Sequence, residues 1–187
     1  MSTVITVTNA RLSFVNVFGE GKVGDNGKRS WGLTALVPKN SPQVAAIKAA
    51  IEAAKVKDAA KVGKTNVKSP LLDGDAKGDD GESFKYKGAE NRGHYLLRAS
   101  NYSRRPAVVD QTVQPILDPD QLYSGCYGNV RISFYGYSSS TNKGISPGLE
   151  AVQKVKDGER LAGGGTNVNE VFTAVEEEFL NGDAPRA

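Results

Sequence analysis

Val130-Arg131-Ile132-Ser133-Phe134-Tyr135-Gly136-Tyr137 is the stretch on which the reading of this chain turns. Side chains alternate between the two faces of a strand, which sets Val130, Ile132 and Phe134 on one side and Arg131, Ser133, Tyr135 and Tyr137 on the other. The first set belongs in a core. The second carries rings on which nucleobases stack and a guanidinium for phosphate, and each stacked base contributes about 1–3 kcal/mol whatever its identity. The same tyrosines have another use, covering a second apolar layer beneath a helix. The strand alone leaves both uses open.

Just upstream, Ser124-Gly125-Cys126-Tyr127-Gly128 reads as a tight strand entry around a small buried thiol. Further back, His94 to Tyr102 has strand character, and Arg92, Tyr95, Arg98, Tyr102, Arg104 and Arg105 interleave rings with cations over a short span. Arg104 and Arg105 precede Pro106, which favours extended backbone at a barrel rim. Rings mixed with cations fit a nucleic-acid groove better than a generic solvated face. Downstream, Ile145 to Val155 fits two periods: Leu149, Val152 and Val155 at helical spacing, or Leu149, Ala151, Gln153 and Val155 in alternation. Strand is the reading adopted. Lys143, Lys154, Lys156 and Arg160 add charge there and, taken singly, mean little.

The start of the chain alternates through Val4–Thr8 and again through Arg11–Val15, with Asn9-Ala10 as a bend or bulge between the halves. Residues 19–28 are glycine-rich and charged and read as a hairpin loop. Ser30 to Val37 sets Trp31, Leu33, Ala35 and Val37 on one face of a further strand, ended by Pro38. One amphipathic helix follows, at about residues 41–60, with Ser41 as N-cap, Pro42 at its first position, Val44, Ile47, Ile51 and Ala54 as its apolar stripe and Gly63 as terminator. Residues 66–92 are dense in glycine and charge, lack apolar periodicity, and read as a long mobile insertion. Five or six strands with one early helix make a mainly β chain, and a Greek-key barrel of the OB type fits it, as other small barrels would.

The chain has 187 residues, 39% hydrophobic and 24% charged, enough for one cored domain rather than two. Its net charge of +3 is unevenly spread: residues 166–187 carry −4 and the first 165 carry +7. Beyond the hinge Gly163-Gly164-Gly165, the division is therefore a basic body, 1–165, and a flexible acidic C-terminal tail, 166–187. Such a tail either is simply solvated or covers the body's polyanion site. The N-terminus lacks the pattern of a signal peptide, and no run approaches the roughly 20 apolar residues of a membrane span. The chain is expected to be soluble and to stay in the compartment where it is made.

Chemistry is poorly supported. One cysteine and one histidine, Cys126 and His94, cannot assemble a zinc set or an internal disulfide, and neither sits in a nucleophile motif. Asp73, Asp75, Asp79, Asp80 and Glu82 lack the ordered spacing of a calcium loop. Residues 163–165 lack the Lys-Ser/Thr ending of a phosphate loop. No catalytic residue, metal or cofactor is expected.

Four ordered blocks, Arg105–Asp110, Tyr123–Gly128, Gly144–Leu149 and Val152–Leu161, resemble a family of tailed-phage single-stranded DNA-binding proteins first catalogued as a domain of unknown function. The resemblance runs from about Arg98 to Gly165, and the N-terminal strands and helix follow the expected order. It implies an OB-fold, binding of single-stranded DNA without marked sequence preference, and a place in phage replication, recombination or repair in the cytoplasm of a bacterial host. It also implies an acidic tail that competes with DNA and contacts phage replication proteins, here Glu176, Glu177, Glu178 and Phe179; the chain departs from the family by ending in Pro185-Arg186-Ala187 rather than on an aromatic residue.

The expected site combines Arg98, Arg104, Arg105, Arg131 and Lys154 as phosphate partners with Tyr102, Tyr135 and Tyr137 as stacking platforms. Single-stranded DNA is the expected partner, a second copy of the chain is admitted, and a membrane is not. The rivals are a protein-interaction adaptor working through the tail, a Mg²⁺-dependent nuclease using the clustered aspartates, and RNA in place of DNA.

Overall fold

The structure is a computed structural model, and it describes residues 1–161. In chain order its elements are strand β1 (Val4–Asn16), the two-residue β2 (Lys22–Val23), β3 (Arg29–Pro38), helices α1 (Gln43–Lys57) and α2 (Ala59–Val62), the short β4 (Leu72–Asp73), β5 (His94–Asn101), β6 (Ala107–Val109), β7 (Tyr127–Ser138) and β8 (Lys143–Lys156). Five of these close a barrel. β3 pairs antiparallel with β1 and with β5, β1 pairs with β7, and β7 pairs with β8. β8 then returns to β5 in parallel through Ser100 and Gly148, so no barrel strand is left with an open edge there. The chain is therefore mainly β with an OB-type Greek-key barrel, since after β5 it crosses over and lays β7 beside β1 instead of beside β5. β2, β4 and β6 extend β3, β5 and β8 at the margins.

Alternation in β7 is the pattern that fills the core. Val130, Ile132 and Phe134 are buried inward, against Val7, Leu12, Leu97, Leu149 and Val152 from the other strands. Fully burying such a side chain contributes about 1.5–3 kcal/mol. α1 closes one end of the barrel with Val44, Ile47, Ile51 and Ala54, the stripe expected from the sequence. Pro42 stands just before the helix in helical geometry, Ser41 Oγ accepts the Gln43 N–H at 3.3 Å, and Gly63 at φ +72 stops α2. The helix end is tied to β7 by the Gly136 N–H, which donates to Asp58 Oδ2 at 2.6 Å. A Cβ on Gly136 would stand 2.8 Å from Val62, so only glycine permits this approach.

Three expectations change. In β3, Thr34 and Leu36 are buried as well as Leu33, Ala35 and Val37, because the outer face is also covered: Leu36 pairs with Leu96, and Leu96 with Leu72 of β4. The cover is the segment 66–92, read from sequence as a loose insertion. It is fastened by Lys39, which bridges Asp73 (2.5 Å) and Asp75 (2.7 Å), and by the Gly93 N–H, which donates to Asp75 at 3.1 Å. These bonds hold the Asp73 and Asp75 carboxyls below their usual range. Finally, Phe14 does not share the inward face with Leu12. A register shift after Ser13 and φ +48 at Phe14 turn its ring outward, 76% exposed.

Candidate nucleic-acid interface

The outward face of the barrel is small in the middle and large at the sides. Gly32 of β3, Ser100 of β5, Ser133 of β7 and Ser146 and Gly148 of β8 form a low floor. There is no room to raise it at two points. A Cβ on Gly32 would come within 2.7 Å of the Ala99 carbonyl, and one on Gly148 within 3.0 Å of Ser133 Oγ and 3.3 Å of the Tyr135 ring. Above this floor three concavities run into one another. The first, about 390 Å³, lies between Phe14, Lys22, Thr34 and Arg98. Ser100 links it to the second, about 350 Å³, bordered by Tyr102, Arg104, Tyr135 and Glu150. Tyr102 and Tyr135 link that to the third, about 510 Å³, lined by Tyr137, Ser146, Pro147 and, from the segment 66–92, Lys68, Pro70 and Leu72.

The sequence-expected residues fall into this arrangement unequally. Tyr102, Tyr135, Tyr137, Arg98 and Arg104 line the groove, with Tyr102 exposed and Tyr135 38% exposed. The tyrosines are not roofed by a helix, since α1 and α2 meet β7 on the opposite, Gly136 side. Arg131 is exposed on the same face of β7, where it donates to Thr6 Oγ1 at 3.2 Å and approaches Glu150 at 3.7 Å. Arg105 stands in the loop after β5 with its guanidinium 5.9 Å from the Phe18 ring. Lys154 lies elsewhere. Its side chain is 13% exposed, donates to Asp157 at 2.6 Å and sits 5.5 Å from the Tyr123 ring. Glu176, Glu177, Glu178 and Phe179 lie outside the described residues.

Four residues at the groove were not among those expected from the sequence. Phe14 offers a further exposed ring at a φ that a bulky residue adopts only at a cost, and such outliers cluster at functional surfaces. Lys22 and Lys68 supply cations from the segments read as a hairpin loop and a long mobile insertion. Tyr86 of the covering segment stands 5.1 Å from the Arg98 guanidinium, so the segment borders the groove as well as holding it. Among the described residues, the groove therefore mixes four exposed or half-exposed rings, Phe14, Tyr102, Tyr135 and Tyr137, with five cations, Lys22, Lys68, Arg98, Arg104 and Arg131, against one carboxylate, Glu150. A low uncharged floor between rings and cations suits a flexible polyanion whose flat groups stack. Cys126, by contrast, is fully buried, and burial pushes its thiol above the usual range.

Comparison with known proteins places the chain in a family. A family model described as the Enterobacter phage Enc34 ssDNA-binding protein matches residues 2–180. Protein p50 of Acyrthosiphon pisum secondary endosymbiont phage 1 is 35% identical over 191 residues, covering 94% of this chain and 98% of that one. Two solved structures superpose on the barrel. The single-stranded DNA-binding protein from bacteriophage Enc34 in complex with ssDNA has a TM-score of 0.69 at 24% identity, over 84% of this chain and 89% of that one. Its C-terminal truncation gives 0.68 at 25% identity, over 85% and 88%.

Proposed function

Because the chain belongs to the family of the Enterobacter phage Enc34 ssDNA-binding protein, we propose that it coats exposed single-stranded DNA without marked sequence preference during phage replication, recombination or repair. The observation that carries the reading is the continuous groove in which Phe14, Tyr102, Tyr135 and Tyr137 stand among Lys22, Lys68, Arg98 and Arg104 over a floor of glycine and serine. Bases stack on the rings, and the cations neutralise phosphates with release of counterions. The low floor gives the strand its depth without reading base edges, so no base is preferred. The protein acts by binding and shielding, with no catalytic step of its own, in the cytoplasm of its bacterial host. Residues 1–165 form the binding domain, and the acidic tail 166–187 competes for the groove and recruits replication proteins.

Titration of the full chain with labelled oligonucleotides at several salt concentrations tests this. Affinity for single strands is expected to fall on a log-log plot with a slope of about −0.7 per neutralised phosphate. Equal or tighter binding to a duplex of the same length would overturn it.

A further inference from the structure

The groove does not stop at Tyr137. Lys68, which walls its last concavity, also lines a neighbouring one of about 330 Å³ that opens between the β7–β8 hairpin and residues 66–68. The chemistry changes at this boundary. The new cavity contains no ring; it is lined by Ser138, Ser140, Thr141 and Asn142 together with Lys68 and Lys143. The hairpin is braced from within: the Ser139 N–H donates to the Asn142 carbonyl at 2.7 Å, and the Asn142 N–H donates to Ser139 Oγ at 3.1 Å. The Lys68 N–H donates to the Lys143 carbonyl at 3.1 Å, which fixes the two lysines side by side. Neither lysine forms an ion pair among the described residues, and the Lys68 ammonium donates to the neutral Asn142 Oδ1 at 2.5 Å. Lys143 Nζ lies over Gly63, which Lys61 and Lys64, both exposed, flank in the sequence. Asp58, at the end of α1, accepts the Gly136 N–H.

We infer that this hairpin cavity is a separate phosphate-backbone site, where a single strand that has stacked on Tyr102, Tyr135 and Tyr137 leaves the barrel held by its phosphodiester alone. Two ammonium groups and several hydroxyls supply what a phosphate accepts, and nothing there offers a base a platform. The inference rests on the binding function proposed above. It adds a direction to it: rings in the middle, charge at this exit.

The experiment uses the full chain and oligothymidylates from about 4 to about 16 nucleotides, the span covered by single OB barrels. Lys143→Gln removes a cation while leaving the hairpin's own hydrogen bonds intact; Ser140→Asp, on the exposed hairpin, adds repulsion at the same place. For the longest strands, Lys143→Gln is expected to make the log-log salt slope shallower by about 0.7, one phosphate contact. Ser140→Asp is expected to weaken the longest strands by several-fold. For the shortest strands, which fill only the ring-lined part, both variants are expected to match the wild type. Tyr135→Ala should weaken every length and leave the slope as it was. Wild-type slopes and affinities for both variants at every length would overturn the exit site while leaving the binding function standing. Failure of the wild type itself to bind any strand would overturn both.

Discussion

The two faces of β7 are made by neighbouring residues and follow opposite rules. Inward, Val130, Ile132 and Phe134 are sealed by side chains from every other barrel strand, so each atom lost leaves a hole that the surroundings cannot refill. Outward, Tyr135 and Tyr137 stand beside a floor of glycine and serine to which Ser133 belongs, and the rings meet little they must support. One strand thus presents a sealed face and an open one by a rotation of half a turn per residue. The largest expected effect breaks the inward side. Phe134→Ala is expected to cost about 3–5 kcal/mol of unfolding free energy, read from the denaturant midpoint. Single-strand affinity of the fraction still folded should stay near wild type. A loss of affinity matching the loss of stability would mean that the two faces are not separable.

The next effect is on the outward side. Tyr135→Ala is expected to weaken single-strand binding by about 1–3 kcal/mol with little change in the denaturant midpoint, because its ring is 38% exposed and lies over Gly148 rather than in the core. A smaller and more telling change is Phe14→Gly. The ring's removal should lower affinity by at least about 1 kcal/mol. Glycine relieves φ +48 but loosens the unfolded chain, and these offset, so stability should hold within about 1 kcal/mol. A clear loss of stability would show that the Phe14 ring packs, and would move it from the binding surface to the core.

The same contrast explains what the sequence made legible. β7 was readable because nothing interrupts its period of two between Val130 and Gly136. β8 looked equally like a helix because a register shift opposite Arg131 and Ile132 lets Leu149 and Val152, three apart, both face inward. β1 shows one irregularity that was expected, the bulge at Asn9-Ala10, and one that was not. Asn9 at φ +51 brings Val7 and Ala10 to one side, and the second irregularity expels Phe14. The segment 66–92 carried no periodicity because it is held at scattered points, the Leu72–Leu96 pairing, Asp75 to Gly93 and Lys39 to two aspartates, rather than along one apolar stripe. In the site, rings and arginines were visible as residue types. The floor was not, since a serine or glycine in a list of residues says nothing until strand pairing sets Gly32, Ser100, Ser133 and Gly148 side by side.

Lys154 supplies the finest cut between the two roles, because its charge suggests DNA and its surroundings suggest structure. Its ammonium donates to Asp157, and Asp157 also accepts from the Tyr123 hydroxyl at 3.0 Å. These bonds, the lysine's first, hold the Asp157 carboxyl below its ordinary value of 3.8. A depressed carboxylate contributes stability that is present above its unfolded pKa and lost as pH falls through its folded one. The wild type is therefore expected to exceed Asp157→Asn in denaturant midpoint at pH 7, and the gap should close as pH drops below about 4. Lys154→Gln should lower the midpoint at pH 7 in the same way, while single-strand affinity and its salt slope stay as in the wild type. A slope shallower by about 0.7 in Lys154→Gln would instead show a strand passing over this lysine. It would then extend the binding path beyond the groove, onto the side of β8 where Tyr123 and Arg160 stack 4.2 Å apart.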